Sequence, residues 1–300
     1  MSTAPSSSPS PSPSPSSSSP SPVLVLGGTG KTGRRVADGL RRRGFTPRVA
    51  SRSGEVRFDW YDESSWDPAL NGVGAVYVVD SQGPGAGDEV RAFAARAAAL
   101  GVTRLVLLSA RIWAEVDHES GRLLATERAV RESGLEWTIL RPSWFNQNFT
   151  EETGFYPLLT EGELRLPTGE GREPFIDLED LADVAVAALT EEGHAGQTYI
   201  LSGPEAMTLR EVVAALADAT GRELAYHPVT DDEYRVLMAE RGHPAEYVEF
   251  VIGLFGHVRA SRGAELSDGV RRALGREPQE FGAYVARTDF ASFQEHALQR

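Results

Sequence analysis

The sequence predicts an α/β fold: a Rossmann-type, doubly wound parallel sheet with a smaller, mostly helical C-terminal lobe. Three observations predict it. A short all-apolar run, Val23–Leu26, ends in GGTGKTG (27–33) and passes straight into an amphipathic segment. Further apolar runs then alternate with helical segments as far as residue 140. From Thr230 onward the alternation gives way to helical spacing. Strands alternating with helices imply parallel strands joined by right-handed crossovers.

Taken in order, Val23–Leu26 reads as a buried parallel strand, because it is apolar at every position. Lys31–Arg43 has helical spacing and stops at Gly44. Pro47–Ser51 is the second strand, Val56–Phe58 a short third and Val73–Val79 the fourth. Asp88–Leu100 is an alanine-rich helix stopped by Gly101. Thr103–Ser109 is the fifth strand. Arg122–Ser133 is a helix stopped by Gly134, and Glu136–Leu140 is the sixth strand. Leu178–Leu189 and Leu209–Ala219 read as helices with a strand, Thr198–Leu201, between them. The helical remainder offers Phe250, Phe255 and Phe281 as core.

Three regions follow. Residues 1–22 contain only Ser and Pro apart from Met1, Thr3 and Ala4, and such a segment cannot bury enough surface to offset its ordering entropy. They are expected to be a disordered tail without the basic start and apolar core of a signal peptide. Residues 23–150 form the nucleotide-binding core. Residues 151–300 add the remaining sheet elements and a helical substrate lobe, the whole making one integrated domain.

Composition excludes several classes of function. The 300-residue chain has no cysteine, which removes disulfides, thiolate metal sites and cysteine nucleophiles. The six histidines show no metal-ligand spacing, so no metal is expected. A net charge of −13 argues against a nucleic-acid partner. No apolar run approaches the ~18 residues of a membrane span. The expected partner is a small-molecule substrate, the default location is the cytoplasm, and the oligomeric state stays open.

GGTGKTG invites two readings. A P-loop needs Gly-x-x-x-x-Gly-Lys-Ser/Thr, and the first glycine would fall at residue 25, which is Val25 inside the strand. The dinucleotide reading fits in place: a strand runs in, a helix runs out, and Gly28, Gly30 and Gly33 have the required spacing. Gly27, Gly28, Thr29, Gly30, Lys31, Thr32 and Gly33 are therefore expected to cradle a pyrophosphate at a helix N-terminus. The second strand should end at the adenosine ribose, and it ends in Ser51 and Arg52 rather than an acid. A guanidinium beside a hydroxyl suits the 2′-phosphate of NADPH, with Arg34 and Arg35 adding positive potential. Val78 and Val79 end the fourth strand near the nicotinamide ribose.

The acid of the common short-chain dehydrogenases, Tyr-x-x-x-Lys, is absent. No tyrosine lies between Tyr77 and Tyr156, and Lys31 is the sole lysine. Ser109 stands where their serine stands and is a candidate catalytic residue. His118 in the following loop is a second, as an acid if one is needed. Reduction of a ketone needs a proton for the developing alkoxide, whereas reduction of an iminium does not. The missing pair therefore points to an acid-free acceptor or to cofactor binding without turnover.

At the ends of the fifth and sixth strands Trp113, Trp144, Phe145, Asn148 and Phe149 are candidate substrate residues, with Pro142 beside the cofactor. Aromatic walls suit a flat cation. For Phe149 the rival is a buried core. Glu115, Asp117 and Glu119 are either solvated loop acids or partners of that cation.

Seven segments occur in sequence: GGTGKTG (27–33), VASRS (49–53), RFDW (57–60), RLVLLSA (104–110), WTILRPSWFNQNF (137–149), PFIDLEDLADVA (174–185) and LSGPEAMTLREVV (201–213). Together they resemble the NmrA-like, atypical short-chain dehydrogenases, and within them the festuclavine/agroclavine dehydrogenase branch. The resemblance implies an NADPH-dependent reductase of a cyclic iminium or related electrophile, in a family that often lacks the Tyr–Lys pair. It places Asp59 near the adenine. Quinone reduction is an alternative, and so is an NADP-sensing regulator without turnover.

Overall fold

The structure is a computed structural model and describes residues 21–116, 121–151 and 162–290. The Ser/Pro stretch up to residue 20, and His118 with Asp117 and Glu119, lie outside the described residues.

The chain runs β1 (Val23–Leu26), α1 (Lys31–Arg42), β2 (Pro47–Ser51), β3 (Val56–Arg57), α2 (Trp66–Leu70), β4 (Ala75–Val78), α3 (Ala86–Ala99), β5 (Arg104–Leu108), α4 (Trp113–Val116), α5 (Ala125–Arg131), β6 (Glu136–Pro142) and α6 (Asn148–Glu151). It continues with β7 (Glu163–Leu166), β8 (Arg172–Glu173), α7 (Leu178–Thr190), β9 (Gln197–Leu201), β10 (Met207–Thr208), α8 (Leu209–Thr220), β11 (Ala225–Pro228), α9 (Asp231–Glu240), α10 (Ala245–Arg259), α11 (Gly269–Leu274) and α12 (Phe281–Arg287).

Seven strands form one parallel sheet in the order β3-β2-β1-β4-β5-β6-β9. The order reverses between β1 and β4, as a doubly wound sheet requires. Alternate side chains serve opposite faces. Val23 and Val25 of β1 pack with Val36 and Leu40 of α1 and with α7, while Leu24 and Leu26 pack on the other face with α2 and α3. Both faces are covered, so the strands are apolar throughout. A third cluster builds the lobe from α8, α9, α10 and α12, with Phe149, Leu164 and Tyr226. Helix α11 returns to the sheet, where Val270 joins the α1–α7 face.

The expected elements are present, with shifts that have local causes. β4 is shorter than Val73–Val79 because Val73 closes a turn onto Leu70 and the Val79 carbonyl accepts from the Trp60 indole. β6 runs on to Pro142, paired with Leu201. Phe255 and Phe281 are core, but Phe250 is not: it is 42% exposed and lies against Trp113 at 6.2 Å between ring centroids. Two small pairs were not expected, β7 with β11 in parallel and β8 with β10 antiparallel.

Candidate active site

The dinucleotide loop lies between β1 and α1, at the point where the strand order reverses. Gly27 adopts φ +60°, and its carbonyl accepts from the Gly30 N–H at 2.9 Å. The Gly28 N–H donates to Ala50, which ties the loop to β2. A Cβ at Gly33 would stand 2.4 Å from the Gly27 carbonyl, and one at Gly28 would stand 2.7 Å from Val49, so neither position admits a side chain. Gly30 caps α1 without any side-chain bond, and the first turn carries no acid. The first N–H groups of this helix therefore face the loop, as a pyrophosphate requires. Thr29 is exposed, while Thr32 is buried beside Tyr77.

At the tip of β2 the Arg52 side chain is exposed and makes no ion pair or side-chain hydrogen bond among the described residues. The neighbouring Ser51 hydroxyl is buried without a partner, against Gly54. An idle guanidinium beside an unsatisfied hydroxyl fits a 2′-phosphate. Arg34 and Arg35 are not idle. Both bond Glu151, and Arg35 also bonds Glu179 at 2.9 Å, so their charge is spent on α6 and α7. Asp59 accepts from the Tyr61 N–H and closes a local turn. Val79 lies beside Gly27, at 3.5 Å from where its Cβ would be, whereas Val78 is fully buried in the core.

Beyond the carboxyl ends of β5 and β6 lies a cavity of about 190 Å³. Trp113, Pro142, Trp144, Phe145 and Asn148 line it. The lobe closes it with Leu254, His257 and Val258 of α10, and with Gly263. Lys31 links cavity and loop: its ammonium donates to Asn148 Oδ1 at 3.0 Å and stands 5.8 Å from the Phe145 ring centre. Phe149 lies elsewhere, fully buried, edge-on to Phe175 and Phe281 in the lobe core.

Ser109 is not among the residues that line the cavity. It is buried and donates to Glu127 Oε1 at 2.7 Å. Glu127 is completely buried and also accepts from Arg141 and Arg131. Burial pushes its carboxyl up, but the bonds from Arg141 and Ser109 outweigh burial and hold it below the ordinary range.

Sequence reading offered Asn148 and Glu115 but missed Glu173, Arg111 and His257 of the cavity. Glu173 of β8 is 4% exposed, and burial pushes its carboxyl up to about 7, against the pull of the Trp144 N–H and of Arg111. Glu115 of α4 stands 3.6 Å from His257 Nδ1 and 3.7 Å from Arg111 Nε. These groups come from three distant segments, around residues 111–115, 173 and 257. The one signal was that His257 shares a helical face with Leu254 and Val258. Among the described residues no cluster is arranged to hold a metal ion, and no helix is long and apolar enough to cross a membrane.

Comparison with known proteins matches this architecture. The family model described as NAD(P)H-binding matches residues 27–192. An oxidoreductase of Bacillus subtilis, YesF, is 36% identical over 88% of this chain and 94% of its own. Festuclavine synthase I of Penicillium roqueforti is 31% identical over 88% of this chain and 96% of its own. The NADPH complex of the Escherichia coli NADPH-dependent quinone oxidoreductase superposes with a TM-score of 0.73 at 20% identity, covering 88% of this chain and 98% of that one. The festuclavine branch is thus not singled out among the relatives. With its glycine cradle, sheet order and these relatives, the chain belongs to the NAD(P)H-binding, NmrA-like oxidoreductase family.

Proposed function

We propose that the chain is an NADPH-dependent reductase that delivers hydride to a small, planar, conjugated acceptor, a quinone first among the classes. One observation carries this reading: an aromatic-walled cavity at the ends of β5 and β6, joined to the dinucleotide loop by the Lys31–Asn148 bond. NADPH, when bound, supplies the hydride. The loop glycines and the start of α1 hold its pyrophosphate, and Arg52 with Ser51 selects the 2′-phosphate. Trp144 and Phe145 keep a flat acceptor in the cavity and exclude water, which favours transfer by positioning.

The acid-free argument for an iminium loses its premise, because Glu173, Glu115 and His257 stand at the cavity. An acceptor that takes up a proton becomes admissible, as quinone reduction requires. The E. coli fold neighbour is named for quinone reduction. A cyclic iminium remains the second reading, favoured by the carboxylates, which suit a cation, and by the festuclavine synthase relative. A sensor without turnover needs no such cavity.

The test uses NADPH carrying deuterium at the transferable position, with a naphthoquinone or a cyclic iminium. Deuteride consumed stoichiometrically with hydroquinone formation supports the first reading. Label appearing only in the amine moves the assignment to the iminium. Tight NADPH binding with no turnover of either acceptor would overturn both.

A further inference from the structure

We propose that Glu173 is the proton donor of this cavity, delivering its carboxyl proton to the heteroatom on which negative charge develops as the acceptor is reduced. The proposal rests on the reductase reading above and names the group that completes it.

The geometry carries it. Glu173 is a cavity-lining carboxyl in an otherwise largely apolar enclosure. It belongs to the two-residue strand β8, which pairs with β10 through Met207 and so has little freedom to turn. The other member of β8, Arg172, is engaged with Glu211 and the Ala206 carbonyl outside the cavity, and forms no ion pair with Glu173. Gly263 packs closely over the carboxyl, where a Cβ would lie 2.9 Å from Glu173 Oε2 and press upon it. The charged groups that face this site are Arg111 after β5, Glu115 on α4 and His257 on α10. Arg111 is drawn off by the Glu265 carbonyl at 2.6 Å and by Glu115, while Glu115 itself opposes a second negative charge. Burial and that neighbour keep the proton on Glu173 up to about pH 7. A buried acid with such an affinity is suited to general acid work near neutral pH.

The step balances. One hydride moves with its electron pair from the reduced nicotinamide to the acceptor, which is reduced by two electrons. The Glu173 O–H bond breaks, its proton binds the acceptor oxygen or nitrogen, and the carboxylate left behind regains a proton from water after product leaves.

Three proteins decide the matter: wild type, Glu173→Gln and Glu173→Asp. Turnover of a naphthoquinone by the wild type should fall as pH rises through about 7, because the protonated acid is the active form. E173Q should lose about 10²-fold in kcat and lose that pH limb. E173D should keep the limb at a reduced rate. NADPH affinity should be unchanged in both variants, which verifies the fold. Infrared difference spectra should show a carboxylic C=O band that disappears above pH 7 and is missing from E173Q. An E173Q enzyme with wild-type rate and profile would overturn the proposal, as would the absence of the titrating band. Failure of the wild type to transfer deuteride to any acceptor, with the band present, would instead overturn the reductase reading.

Discussion

Arg52 shows how much one side chain can decide. Arginines elsewhere in this acidic molecule are mostly consumed by carboxylates, Arg34 and Arg35 among them, while Arg52 at the strand tip is not. A charge-assisted contact of this kind contributes about 1.5–3 kcal/mol, roughly 10–100-fold in affinity. Arg52→Ala should therefore raise the Kd for NADPH by about that factor and leave NADH almost unchanged, as measured by quenching or nucleotide fluorescence titration. Equal losses for both nucleotides would remove Arg52 from 2′-phosphate recognition. Its place was legible because the second strand ends there, at Ser51. Glu173 and His257 were not legible in the same way. Glu173 belongs to no local pattern, His257 is marked only by its helical face, and only the folding of β8 and α10 against the end of β6 brings them to one cavity. Phe250 misled for a related reason: its helix carries apolar residues on more than one side, and the exposed side faces Trp113.

Among the elements, those with a long apolar run or a sustained helical period were readable to within a few residues. The short third strand was read at Val56–Phe58, one residue beyond β3, but the two-residue strands β8 and β10 lie below the length at which any period exists, and the five-residue α2 contains Pro68. What holds the readable elements in place includes a contact that no period reveals. Glu127 on α5 joins Arg141 on β6 and Ser109 at the end of β5, across sequence gaps of 14 and 18 residues. Removing a buried member of such a set leaves its partners uncompensated, at a cost of about 3–5 kcal/mol. Glu127→Ala should lose about that much stability at pH 7 in urea unfolding. The sign of the pH effect follows from a folded-state affinity for protons lower than that of the unfolded chain. The stabilisation is complete above the ordinary carboxylate pKa and disappears as pH falls through the lower folded value. The gap between wild type and variant should accordingly narrow below about pH 4. A gap that stays constant down to pH 3 would show that packing, not charge, is what the variant loses.

For the molecule as a whole, the central question is whether sheet and lobe act as one body. Consecutive residues answer it: Phe145 packs into the sheet core under α1 and α7, while Trp144 packs into the lobe core and stacks on Phe255 with ring centres 5.5 Å apart. Arg287 of α12 further bonds Asp177 at the head of α7. The lobe is thus fastened at the rim of the cavity it closes. The residues proposed to hold the nucleotide, 27–33, 51–52 and 79, come by contrast from the sheet and α1, with Lys31 reaching Asn148 of α6, and are assembled in the folded chain alone. A ligand bound solely by the folded state adds about 2.7 kcal/mol at a hundred times its Kd. For a chain of this size that is a rise of about 5 °C in Tm. Calorimetry should therefore show one cooperative transition that moves as a unit when NADPH is added, the lobe melting with the sheet although the proposed nucleotide residues lie outside it. Two transitions, of which NADPH shifts only one, would mean that Trp144 and Phe145 do not couple the cores.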